Sequence, residues 1–119
     1  MRRILAVDDT RSMLGMLVEC LQDGGHTVFT ANDGVEALAA LSEHCPDIVI
    51  TDLNMPRMTG LEFIDAARKT PEGRLLPMLL LTTETAQELK DEARRIRATG
   101  WLCKPFDADQ ILGLVDQLT

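Results

Sequence analysis

The sequence predicts an α/β fold of the doubly wound type, with five strand–helix units laid around one parallel sheet. Three observations predict it. Short apolar runs recur along the chain without alternation: Ile4-Leu5-Ala6-Val7, Ile48-Val49-Ile50 and Met78-Leu79-Leu80-Leu81. Continuous apolarity suits strands covered on both faces, as helices on either side of a parallel sheet would cover them. Between the runs lie stretches of helical period with start and stop signals, and this alternation repeats five times.

The first strand spans residues 3–7. The helix after it runs from about residue 10 to 23, with Met13, Leu14, Leu17, Val18 and Leu21 on one stripe and Gly24-Gly25 as its stop. Residues 27–31 form a more polar strand, read as an edge. Asp33 with Glu36 has the spacing of a capping box for a second helix, which reaches about residue 44 and buries Val35, Leu38 and Leu41 before Pro46. Residues 47–51 form the third strand, and residues 56–60 a loop. Thr59 with Glu62 repeats the capping-box spacing ahead of a helix from residue 60 to about 69, and Pro71-Glu72-Gly73 is a turn. Residues 78–82 make the fourth strand. Thr85 with Glu88 caps a charged fourth helix that ends near Gly100, with a narrow stripe of Leu89, Ala93 and Ile96. The fifth strand is 101–103. Asp107 and Gln110 cap a last helix that buries Ile111, Val115 and Leu118. Five such units fit the flavodoxin-like strand order 2-1-3-4-5, an order taken from that fold class and not from these residues alone.

At 119 residues and 45% hydrophobic the chain fits one domain, residues 1–119, with a real core. The net charge of −7 disfavours nucleic acid. No run approaches the ~20 apolar residues of a membrane span, and Asp8-Asp9 interrupts the N-terminal apolar run too early for a signal peptide. A cytoplasmic monomer is the expectation. Cys20, Cys45 and Cys103 lack metal-type spacing and read as unpaired thiols in a reducing compartment.

The chemistry gathers at the strand ends. The runs deliver Asp8 and Asp9, Asp52, Thr82 and Thr83, and Lys104. In a doubly wound sheet, ligands sit beyond the carboxyl ends of the strands where the order reverses, between strands one and three here. Two like charges ~4 Å apart repel by about 4 kcal/mol at an effective dielectric near 20. Three acids at one rim therefore need positive charge. Mg²⁺ suits such oxygen ligands, and Lys104 offers a second cation. A carboxylate can act as a nucleophile toward phosphorus. Asp52 is the predicted phosphoryl acceptor, with Lys104 and the Thr82 hydroxyl neutralising or binding phosphoryl oxygens.

Asp8-Asp9, the Asp52-Leu53-Asn54-Met55-Pro56 segment with Gly60, Thr82 and Lys104-Pro105-Phe106 together resemble the response regulator receiver domains of bacterial two-component signalling, and among them the single-domain chemotaxis regulators. The resemblance covers the whole chain. It implies that Mg²⁺ is held by the side chains of Asp9 and Asp52, by the Asn54 carbonyl, and by Asp8 through water. It implies a cis Lys104-Pro105 bond, a switch pair of Thr82 and Trp101, and an influence of Asn54 and Glu84 on phosphoryl lifetime. Trp101 stands where the family commonly has Tyr or Phe. Thr83 is bulkier than the small residue often found beside the switch hydroxyl.

The implied function is a signalling switch, not an enzyme acting on a separate substrate. A chemotaxis-type histidine kinase donates, and a target such as the flagellar motor switch is engaged through helix four, strand five and helix five. Lys90, Arg94, Arg95 and Arg97 make that helix either a docking face for an acidic segment or a solvated surface, since Glu88, Asp91 and Glu92 interleave. A phosphate sink or phosphorelay intermediate is the rival within the class. An aspartate-nucleophile phosphatase would need a second acid two residues beyond the nucleophile, where Asn54 or Thr10 stands, and a flavin carrier would need a Ser/Thr/Gly-rich loop in place of Asp8-Asp9-Thr10.

Overall fold

A computed structural model of the chain describes residues 1–84 and 86–119. The elements run β1 (Arg3–Val7), α1 (Arg11–Asp23), β2 (Thr27–Ala31), α2 (Gly34–His44), β3 (Ile48–Asp52), α3 (Gly60–Arg68), β4 (Met78–Thr82), α4 (Gln87–Arg95), β5 (Gly100–Cys103) and α5 (Ala108–Leu118). The five strands form one parallel sheet in the order β2-β1-β3-β4-β5, the flavodoxin-like arrangement.

The unbroken apolar runs divide between two cores. Leu5, Val7, Val49, Met78 and Leu80 face one layer, packed by Leu41 of α2, Phe63 and Ile64 of α3, and Ile96 after α4. Ile4, Ala6, Ile48, Ile50, Leu79 and Leu81 face the other, under Leu17 and Leu21 of α1 and Ile111 and Val115 of α5. Alternate residues point to opposite faces of a strand, and both faces are covered, so no polar position interrupts the pattern. Edge strand β2 is shielded by His44 stacked on Phe29 at 4.0 Å and by the Arg3 guanidinium 4.8 Å from that ring.

Several boundaries and caps differ from expectation. β3 begins and ends one residue later, so Asp52 belongs to the strand. Asp33 caps α2 by accepting from the Glu36 amide, but the Glu36 carboxylate turns to the Asn32 amide instead of closing the box. The buried face of α2 is Gly34, Ala37, Ala40 and Leu41, whereas Val35 is 42% exposed. Small residues let this helix lie close to the sheet, and a stripe sought among large residues passes over them. The Thr59–Glu62 capping box of α3 is present in both directions. Thr85 lies outside the described residues, and the N-cap of α4 is Ala86, with no side-chain cap bond. Asp107 caps α5 by accepting from the Asp109 and Gln110 amides.

The largest departure is the end of α4, which stops at Arg95 and not near Gly100. Arg97 takes φ 65°. The Arg97 amide bonds Arg94 O and the Ala98 amide bonds Ala93 O, a Schellman turn made without glycine. The Thr99 amide then bonds Met78 O, and Thr99 Oγ1 accepts from the Met78 amide, so the chain is captured by the sheet and Gly100 opens β5. Arg68, buried at the end of α3, reinforces the turn. Its Nε and Nη2 donate to Arg97 O at 3.0 and 2.8 Å, and its Nη1 donates to Gly73 O and Leu76 O at 2.6 Å each. Burial, and then the charge of Arg97, lowers its pKa from the ordinary arginine value, yet a guanidinium keeps its charge in proteins.

Arg68→Met keeps an apolar stem but leaves three carbonyls without these donors. It should cost about 3 kcal/mol of folding stability, read from the urea midpoint. A midpoint within error of the parent would remove Arg68 from the account of how α4 ends.

Candidate functional site

The sheet register assembles the site. Val7 pairs with Thr51 across β1 and β3, and Asp52 pairs with Leu81 across β3 and β4. Asp8 therefore emerges beside Asp52 on one side, and Thr82 on the other. Thr82 pairs in turn with Cys103, and the Lys104 amide donates to Thr82 O at 2.9 Å. Four strand ends thus present their polar residues to one rim.

Asp8, Asp9 and Asp52 each place a carboxylate oxygen within 4.8 Å of the others. Asp8 and Asp52 are buried and Asp9 is exposed. Lys104 Nζ lies 2.7 Å from Asp52 Oδ1 and 3.6 Å from Asp8 Oδ2. One ammonium faces three carboxylates, so at neutral pH the cluster carries two uncompensated negative charges (three minus one) if all are ionised. Hard oxygens at this spacing, with one acid open to water, could hold a divalent cation.

The protonation equilibria reflect the crowding. Burial is the main cause that raises the Asp8 pKa above its ordinary 3.8. The hydrogen bond from the Thr10 amide, at 2.9 Å, opposes the rise, the charge of Asp52 adds to it, Lys104 opposes it and Asp9 adds a little more. Burial alone would lower Lys104. The hydrogen bond and charge of Asp52, then the charge of Asp8, outweigh it and raise Lys104 above its ordinary 10.5.

The backbone around Asp52 is set by close approach. A Cβ on Gly60 would stand 2.2 Å from the Asp52 carbonyl oxygen, and the Gly60 amide bonds Leu53 O at 2.8 Å. Glycine at the start of α3 lets the loop fold back under the acceptor strand. Thr51 Oγ1 donates to Asp52 O at 3.0 Å from the buried side.

The remaining predicted residues fall in two places. Thr82 is buried, and its Oγ1 accepts from the Glu84 amide at 3.0 Å, which leaves its own proton free to donate. Trp101 is half-buried on β5, and Lys90 Nζ lies 5.3 Å from its ring centroid, a cation–π contact. Thr82 and Trp101, with Leu80, Leu89 and Ala93, line one crevice too narrow for a water molecule, so the two residues of the expected pair border the same narrow gap. Asn54, Thr83 and Glu84 are exposed on the loops after β3 and β4, and Glu84 stands outside the acid cluster. The Lys104-Pro105 bond is cis as expected. Arg94 pairs with Asp91 and Arg95 with Glu92 on α4, so part of its basic charge is answered within the helix. Cys20, Cys45 and Cys103 are free. Sequence reasoning passed over Arg57, which bonds Asp33 beside this site. The two are 24 positions apart, and no local pattern joins them.

A family model described as the response regulator receiver domain matches residues 4–116. Over 117 residues the chain is 34% identical to chemotaxis protein CheY-3 of Vibrio cholerae, covering 98% of this chain and 90% of that protein. It is 38% identical to response regulator MprA of Mycobacterium leprae, covering 98% of this chain but only half of MprA. Among solved structures, the chemotaxis protein CheY4 of Vibrio cholerae, crystallised at low pH, superposes with a TM-score of 0.95 at 44% identity, covering 100% of this chain and 99% of that one.

A raised Asp8 pKa has a definite sign in stability. The folded chain keeps a proton on Asp8 that the unfolded chain releases as pH passes 3.8, so stability is lost as pH climbs through that window. Asp8→Asn should therefore melt a few degrees above the metal-free parent at neutral pH, with the gap closing below pH 3.8. Thermal unfolding across a pH series checks this, and a gap that does not change with pH contradicts it.

Proposed function

The chain belongs to the response regulator receiver domains, and from that premise we propose that it is a phosphorylation-driven switch in which Asp52 accepts a phosphoryl group from a histidine kinase. The observation that carries the reading is Lys104 Nζ 2.7 Å from Asp52 Oδ1 at the edge of the Asp8–Asp9–Asp52 cluster. An acceptor carboxylate needs a cation beside it to receive a charged group, and this one has a fixed ammonium and room for a second positive charge.

An Asp52 carboxylate oxygen attacks phosphorus while the bond to the donor imidazole nitrogen breaks and the imidazole takes up a proton. The product is a mixed anhydride on Asp52. Asp9 and Asp52 would hold Mg²⁺ by their carboxylates, together with the Asn54 carbonyl, and Asp8 would act through water. When bound, Mg²⁺ supplies positive charge against the phosphoryl oxygens. Lys104 trades its bond to the Asp52 carboxylate for one to a phosphoryl oxygen. Thr82 turns its hydroxyl proton toward another, and Trp101 responds through the crevice the two share. Asn54 and Glu84, exposed at the mouth, tune water access and so the lifetime of the anhydride.

The chain acts on no substrate but itself: it takes up the group and loses it. Its output is a changed affinity for a protein, by likeness to the chemotaxis regulators a flagellar motor switch, met on α4, β5 and α5. The MprA relatives are about twice as long as the segment matched here, so their fuller activities are not carried across. No helix among the described residues is long and apolar enough to cross a membrane, in keeping with work in the cytoplasm.

Asp52→Asn should fold as the parent does but take up no phosphate from a small acyl phosphate. Unchanged uptake, followed by phosphate-sensitive electrophoresis, would place the group on another residue. Trp101 is the sole tryptophan, so its fluorescence should shift when Mg²⁺ and a phosphoryl mimic such as trifluoroberyllate are added together. A constant spectrum would count against its part in the switch.

A further inference from the structure

The loop after the acceptor strand is tied to the β2–α2 corner by a contact outside the acid cluster. The Met58 amide donates to Pro56 O at 2.7 Å and closes a three-residue turn centred on Arg57, whose φ is 65°. A turn of this kind with positive φ at a non-glycine centre is rare and strained, so neighbouring contacts must hold it. Arg57 Nε and Nη2 lie 2.8 and 2.7 Å from Asp33 Oδ2, while Asp33 Oδ1 accepts from the Glu36 amide at 2.9 Å. The Asp33 side chain is 7% exposed and that of Arg57 57%, so the fixed partner is Asp33. Next to this pair Met58 lies on Gly34, where a Cβ would stand 2.7 Å from Met58 Cγ. The same corner supports the other side of the site, because the Asp8 amide donates to Ala31 O at 3.2 Å. One corner thus fixes both Asp8 and the loop that leaves Asp52.

We propose that the Asp33–Arg57 pair is a latch that holds the loop of residues 54–58 against the acid cluster and so sets the affinity of that cluster for its divalent cation. The proposal rests on the reading of the cluster given under the proposed function. Both are positioning residues. Neither belongs to the cluster, and the pair acts by ordering the loop before the cation arrives, so that binding does not have to order it. Residues behind a metal's ligands typically change affinity about 10- to 100-fold when removed. A latch acting through a backbone loop belongs at the lower end.

The test is a Mg²⁺ titration of the whole chain by calorimetry, with amide hydrogen exchange of the metal-free protein beside it. The Mg²⁺ dissociation constant should rise about tenfold in Arg57→Ala and in Asp33→Asn. Asn retains the helix cap through its carbonyl oxygen, so the second variant removes the charge and the oxygen that accepts from Arg57 but not the cap. The double variant should lose no more than either single one, because both remove one interaction. Arg57→Lys should recover part of the loss. The amides of Met55, Arg57 and Met58 should exchange faster in Arg57→Ala, with those of β3 unchanged, a readout that overall stability would not single out. Parental Mg²⁺ affinity and loop exchange in Arg57→Ala, or additive losses in the double variant, overturn the latch. Should Asp33→Asn unfold, Arg57→Ala against Arg57→Lys decides alone, since Arg57 is exposed. A parent chain that binds no Mg²⁺ overturns the functional reading and the latch together. A parent that binds it while the variants match overturns the latch only.

Discussion

One ammonium set against buried carboxylates is the interaction on which the site depends. The acids come from strands 44 positions apart by the count from residue 8 to residue 52, and their repulsion would scatter them on a flexible scaffold. A five-stranded parallel sheet prevents that, because its ladder fixes where each strand stops. β3 lies between β1 and β4, so Asp52 is flanked by Asp8 and Thr82. Lys104 must reach across from two strands away, a span of about 10 Å at ordinary strand spacing. A long side chain at the start of the β5–α5 connection meets that requirement. A short one would leave Asp52 unanswered.

The charged rim is tolerable because little else in the sheet is polar. The three central strands lie between two apolar layers and are buried almost throughout. The same dryness makes the rim responsive. Charges near a low-dielectric core interact more strongly than charges in water, so the arrival or loss of one charge is felt by its neighbours. Thr82 and Trp101 line one narrow crevice with Lys90, whose ammonium lies over the Trp101 ring.

Much of this was legible in the chain because the physics is local. A strand dry on both faces must read as an unbroken apolar run, and a residue at its carboxyl end must appear at the rim. Asp8, Asp52, Thr82 and Lys104 could therefore be placed from position alone. What stayed hidden depended on packing or on distant partners. Val35 looked like core, but Ala37 and Ala40 set the approach of α2 to the sheet. Glu36 had the spacing of a box partner and found Asn32 instead. The stop of α4 was sought at glycine, whereas an arginine in the left-handed region supplies it, held there by Arg68 from another helix. Arg57 showed nothing in sequence, since its partner lies on a different turn of chain.

That arginine-held stop makes α4 an asymmetric element. Its last turn is pinned by a Schellman closure, by Thr99 joining the sheet, and by two bonds from a buried guanidinium to the Arg97 carbonyl. Its first turn has no side-chain cap at Ala86. A rod held more firmly at one end tilts about that end, and its less firmly held end moves the most. For α4 the less firmly held end follows the Thr82 strand, so any tilt is greater there than at Arg97.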